Sequence, residues 1–242
     1  MSGRPGLRRF VPGAAPAVAP AGPAAGGPSL PGRPSGPAPR RAPAGPPPGG
    51  APPQERCEMC AADIGAEHGH VADLDNSSLS CTCRACYLLF TNSQAGAGRY
   101  RGVPDRYLTD PARELTPAQW DDFQIPVGLA FFLRSSRSGE VHAFYPSPAG
   151  ATESTLNLAA WELLTAACPL LTAAEADVEA ILICRTDGGV EYFLVPIDAC
   201  YELAGRMRLY WRGFDGGTQA REAIAGFLAQ VRSRARVFTG EA

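Results

Sequence analysis

Residues 70–74 and 79–82 are two short stretches on either side of the turn residues Asp75, Asn76, Ser77 and Ser78, and this pattern predicts a hairpin. The run at 84–90 then reads as a helix. From about residue 100 the chain takes on an ordinary globular pattern. Thr116 followed by Pro117 predicts a capped short helix. Residues 128–133 form an apolar strand, residues 135–139 a turn, and residues 140–145 alternate as the partner strand. A helix over 156–164 ends near Cys168 and Pro169. A second hairpin pairs 178–183 with 190–195 around Asp187, Gly188 and Gly189. Two helices follow, over 198–212 and 218–234. This order predicts an α+β fold in which an antiparallel sheet of two hairpins packs with helices. Beyond the loose similarity of the two hairpins, no internal repeat is visible.

Composition divides the chain into three parts. Residues 1–54 contain 16 of the 24 prolines and 11 of the 27 glycines, with almost no aromatic or branched apolar side chains. Such a stretch cannot bury enough surface to offset its ordering entropy, so a disordered tail is expected over 1–55. A Cys-rich module over 56–92 and an α+β domain over 100–237 complete the expected organisation. Residues 1–54 hold six arginines and no acid; residues 55–242 hold 16 arginines against 24 acids, giving −8 there and −2 for the whole chain. A net acidic body argues against nucleic acid as a partner. The chain contains no lysine, which excludes a Walker-type phosphate loop and Schiff-base chemistry. No run of 18 apolar residues is present to span a membrane. Arg8-Arg9-Phe10 has the look of a twin-arginine signal, but the prolines that follow interrupt any apolar region. The expected compartment is the cytoplasm, where clustered cysteines are metal ligands more often than disulfides.

Five of the eight cysteines fall within 30 residues. Cys57/Cys60 and Cys83/Cys86 are two C-x-x-C pairs separated by 22 residues, a spacing close to structural zinc sites. A C-x-x-C turn converges two thiolates on one point, so two turns supply four soft ligands for one ion. A knuckle, a hairpin and a helix bearing the second pair resemble the treble-clef or zinc-ribbon class. Zinc is the expected metal, with an iron–sulfur cluster on the same thiolates as the alternative. His68, His70 and Cys81 are additional candidate ligands. With a short turn between the strands, His70 and Cys81 lie nearly opposite each other, which allows a second, partial site or ligand exchange. The alternative, taken as the expectation, has solvent-exposed histidines, Cys81 packed beneath the hairpin, and one metal in all.

Catalytic constellations are poor. His142 sits alone on an alternating strand, as a satisfied strand histidine would. The segment 146–154 carries hydroxyls and Glu153 but no G-x-S-x-G elbow, and reads as a strand-to-helix loop. Cys168, Cys184 and Cys200 are dispersed and expected to pack as small apolar side chains. Asp198 reads as a helix N-cap or first-turn acid, and Arg206, Arg208 and Arg212 as cations near a helix C-terminus. The segment 214–217 lacks the preceding strand of a phosphate loop and reads as a turn.

The strings CTCRACYLLF (81–90), QIPVGLAFF (124–132), AFYPSPAGATE (143–153) and VPIDACYEL (195–203) together resemble an actinobacterial family of unknown function, often encoded beside nickel–iron hydrogenase genes. The resemblance covers about residues 56–235. It implies an accessory role and a protein partner, with a nickel–iron hydrogenase complex as the partner that genomic company suggests, and it supplies no catalytic residues. The leading expectation is therefore a non-enzymatic zinc-binding accessory or adaptor protein. An iron–sulfur redox or metal-delivery protein, and an enzyme using the 146–154 segment, are the alternatives.

Overall fold

The computed structural model describes residues 55–92, 95–112, 115–186, 188–213 and 216–240. The expectation for the tail falls outside them, apart from Glu55.

The body is organised by one seven-stranded sheet: β4 (Leu108–Thr109), β5 (Leu129–Arg134), β6 (Val141–Ser147), β7 (Gly150–Ser154), β8 (Glu179–Thr186), β9 (Gly189–Pro196) and β10 (Arg236–Val237), in the order β10-β4-β9-β8-β5-β6-β7. All pairs are antiparallel except β10 with β4. The two expected hairpins, β5–β6 and β8–β9, are joined through β5 and β8, with Phe131 opposite Leu182. Both faces of these central strands are covered, which is why they read as continuous apolar runs and not as clean alternation.

Side chains alternate between the two faces. Leu129, Phe131, Leu182 and Val195 pack with Leu203, Met207, Phe227 and Val231 from helices α5 (Ile197–Tyr210) and α6 (Gly217–Arg234). Ala130, Phe132, Ile181 and Ile183 pack on the opposite face with α2 (Pro117–Asp121), α3 (Leu158–Ala167) and α4 (Pro169–Thr172). There Phe132 stacks on Trp161, with ring centroids 4.8 Å apart, and tilts against Phe123. Thr116 caps α2 with a full capping box, and Asn157 caps α3 by accepting from the Ala160 amide.

The Cys-rich segment forms a three-stranded sheet from β1 (Gly69–Asp73), β2 (Ser78–Thr82) and β3 (Tyr100–Gly102), in the order β2-β1-β3, with α1 (Arg84–Leu89) against it. Tyr87 of α1 lies over β1 and β3 at two glycines. A Cβ on Gly69 would come within 2.9 Å of the Tyr87 ring, and one on Gly102 within 3.1 Å. The Tyr87 hydroxyl donates to the Val103 carbonyl. Ala72 and Val103 join the α5/α6-side core, so this sheet shares packing with the body.

One expectation changes, and the two roles open to Asp198 reduce to one. The segment 146–154 is a strand pair and not a loop: β6 runs to Ser147, and β7 pairs back from Gly150 to Ser154. Pro146 is tolerated because β5 pairs with β6 only from Val141 to Phe144, so no β5 carbonyl needs the missing N–H. Asp198 lies in the first turn of α5, whose N-cap position is Pro196. The short strands β3, β4 and β10 had no counterpart in the sequence pattern, because two or three residues carry no readable periodicity.

Candidate metal centres and cleft

The seven candidate ligands separate into a group of four and a group of three. Cys57 and Cys60 lie on a turn ahead of β1; the Cys57 amide donates to the Ala62 carbonyl, and the Ala61 amide to the Cys57 carbonyl. Cys83 is the N-cap residue of α1, and Cys86 stands in its first turn. The Glu58 amide donates to the Cys81 carbonyl, and the Cys81 amide to the Glu58 carboxylate, so β2 is tied to the knuckle from both directions. The Sγ atoms of Cys57, Cys60, Cys83 and Cys86 all fall within 4.8 Å of one another, and Cys60 and Cys83 are 3.6 Å apart. Thiolates bound tetrahedrally at about 2.3 Å from zinc would be spaced about 3.8 Å apart. None of the eight cysteines is in a disulfide.

Burial pushes the Cys57 thiol up, but the amides of Cys83, Cys60 and Met59 outweigh it and bring it down to about 6. The neighbouring Cys60 sulfur, followed by burial, pushes Cys86 up to about 12. One sulfur is thus prepared as an anion while its neighbours resist further negative charge. A divalent cation removes that conflict.

The group of three is His68, His70 and Cys81, whose ligand atoms also lie within 4.8 Å of one another. His70 and Cys81 are direct partners in the β1–β2 ladder, as the hairpin pattern anticipated. The histidines are not solvent-exposed: their side chains are 10% and 26% accessible. His68 Nδ1 donates to the Gly65 carbonyl at 2.8 Å, and His70 Nδ1 is 2.8 Å from the Asp198 carboxylate. The Asp198 carboxylate, with help from Cys81, pushes the His70 pKa up to about 10. Sequence reasoning missed Asp198, which is 128 residues from its partner and was already explained as a helix-turn acid.

Cys168, Cys184 and Cys200 are buried as expected. Burial pushes the Cys184 thiol up to about 12, so it stays protonated.

A cavity of about 710 Å³ opens between the β1–β2 turn and the α5 side of the large sheet. Leu79, Phe131, Leu133 and Ile197 give it an apolar floor, and His142 and Glu153 line it with a histidine–carboxylate pair 2.7 Å apart. His142 on β6 meets Glu153 because β7 folds back beside β6, the pairing that the sequence reading had as a loop. Tyr145, one step out of phase, packs against the opposite core.

Among the described residues no helix is long and apolar enough to cross a membrane. No curated protein and no solved structure matches the chain. Residues 56–235, which take in both metal-ligand groups, the cleft and nearly all of the sheet, match a family profile, and the chain belongs to that family of unknown function (DUF5947).

Proposed function

We propose that this chain is a zinc-binding accessory or adaptor protein in which Cys57, Cys60, Cys83 and Cys86 hold one ion in a closed structural site. The observation that carries the reading is the convergence of four free thiols, from a knuckle and a helix N-terminus, to within 4.8 Å of one another. The knuckle, hairpin and helix suit a treble-clef arrangement. Four protein ligands leave no position for substrate, so the ion's work is to fasten the knuckle to α1 and β2. Leu88 and Leu89 of α1 are exposed beside the site and supply an apolar surface for a protein partner. A nickel–iron hydrogenase complex is the partner to test first.

The test is elemental analysis with an absorption spectrum of protein purified anaerobically and dialysed against a mild chelator. One zinc per chain in a colourless protein is expected. Visible sulfur-to-iron charge-transfer bands would replace zinc with an iron–sulfur centre on the same thiolates.

The cleft favours a second reading, a small-molecule site served by the His142–Glu153 pair, in which the carboxylate orients the imidazole as a general base. Its test is ligand-observed NMR with a fragment library against the parent protein and His142→Ala. Fragments lost from the variant would support it, and an empty cleft in both would remove it.

A further inference from the structure

We propose that His68, His70 and Cys81 form a second, open metal site for a divalent transition ion, with zinc as the commonest candidate. It is separate from the four-thiolate centre and has a different chemical character.

The argument begins with protons. The Gly65 carbonyl can only accept, so His68 Nδ1 carries the hydrogen of that 2.8 Å bond, and Nε2 of the neutral ring is the bare nitrogen. That Nε2 is fully buried and has no hydrogen-bond partner, on a side chain nine-tenths removed from solvent. A buried acceptor left unsatisfied is costly and uncommon, and where one occurs an unoccupied ligand site is a standing explanation.

His70 repeats the arrangement with a stronger partner. The Asp198 carboxylate accepts from Nδ1 at 2.8 Å, which leaves Nε2 for the cluster and its direct ladder partner Cys81. Carbonyl and carboxylate acceptors behind ligating imidazoles fix the tautomer, hold the ring plane and raise the basicity of the bound nitrogen. Here one of each stands behind the two histidines. The rings are held edge to face, with centroids 4.9 Å apart.

Cys81 adds a soft anionic ligand. On binding, the protons carried by the Cys81 sulfur and by His70 Nε2 are released to solvent as the metal–sulfur and metal–nitrogen bonds form. Two imidazoles and one thiolate leave a tetrahedral ion one coordination position short, and that position takes water or an exogenous ligand. Thus the closed centre has a scaffolding role, whereas the open one has exchange or Lewis-acid chemistry within its reach. Asp198 is a positioning residue that ties this site to the first turn of α5, whose next turn lines the cleft with Cys200 and Tyr201.

The test uses the full chain, stripped of metal under anaerobic conditions and titrated with cobalt(II), then with zinc(II). The parent protein is expected to bind two ions, with absorption features of both a four-thiolate and a one-thiolate site. His68→Gln with His70→Gln should bind one and keep the four-thiolate spectrum; Cys83→Ser should lose that spectrum instead, so failure of either site is read separately. Asp198→Asn should weaken the second site by about 10- to 100-fold and leave the first unchanged. A single ion at saturating metal in the parent, or two ions retained in the double histidine variant, would overturn the proposal. Should the double variant fail to fold, Cys81→Ala takes its place with the same expected loss of one ion.

Discussion

On the α2–α4 face of the large sheet, Phe132 stacks on Trp161 and tilts against Phe123, in one apolar cluster with Ile181, Ile183 and Leu194. In and around the smaller sheet the buried apolar set is short: Cys57, Ile64, Val71, Ala72 and Val103. Helix α1 contains no buried residue at all. One region therefore follows from hydrophobic burial alone. The other has few buried apolar side chains; it gathers four thiols within reach of one cation, sets Tyr87 over two glycines, and leans against the body. The lesson is that the same chain gathers its potential metal ligands where the number of apolar side chains falls short.

Removing the metal is the most forceful way to break this comparison. Binding at a structural four-thiolate site is worth on the order of 10 kcal/mol in small zinc modules, and that energy is also folding energy. Metal-free protein, or Cys83→Ser, is expected to lose amide-exchange protection over residues 57–90 while β5, β8 and β9 stay protected. A metal-free protein with a protected β1–β2 hairpin would show that packing against the body suffices by itself.

The reverse experiment acts on the body. Phe132→Ala removes a buried ring from between Trp161 and Phe123, and is expected to cost about 3–5 kcal/mol in urea unfolding. Metal content should not change. If zinc were lost along with stability, the two regions would be one cooperative unit.

The sequence made the convergence of the four thiols legible because C-x-x-C spacing is a local constraint: side chains three residues apart meet whatever the rest of the fold does. Register made the pairing of His70 with Cys81 legible for the same reason. What could not be read was everything that depends on distant strands. Asp198 meets His70 only after α5 has docked, and Glu153 meets His142 only because β7 turns back at Pro148 and Ala149. The prolines and glycine of 146–150 carry a loop signal, and only the limited reach of β5 along β6 makes a strand possible there. The expectation of exposed histidines failed for a related reason, since a hairpin viewed alone has two open faces and this one has a body beneath it.

The junction between the two regions contains a charge that can sharpen the comparison. Glu179 is buried and receives two hydrogen bonds from Arg106, at 2.8 and 2.6 Å, and one from the Glu175 amide. Arg106→Leu would leave that carboxylate uncompensated and is expected to cost about 3 kcal/mol. The double change Arg106→Leu with Glu179→Leu should recover most of the loss. No recovery in a double-mutant cycle would mean that Arg106 acts through its bond to the Ala173 carbonyl instead.

The smallest expected effect concerns Tyr107, a buried residue of the shared core whose hydroxyl accepts from Arg234 and whose ring lies under that guanidinium. Burial is the main reason that its pKa rises from about 10 to about 12, against the opposing pull of Arg234. The native state therefore holds this proton more tightly than the unfolded chain does. The resulting stability is fully present below about pH 10 and is lost as pH climbs toward 12. The full rise would amount to at most roughly 3 kcal/mol, and about 1 kcal/mol is expected because water relaxes around a hydroxyl as it ionises. Tyr107→Phe has no proton to lose there. Urea unfolding of both proteins at pH 8, 10 and 11.5 should show the parent losing stability relative to the variant over the upper interval. Since zinc–thiolate bonds are not protonated at alkaline pH, the metal module should stay closed while this seam weakens. A constant difference across the three values would mean that the Tyr107 hydroxyl is better hydrated than its burial indicates.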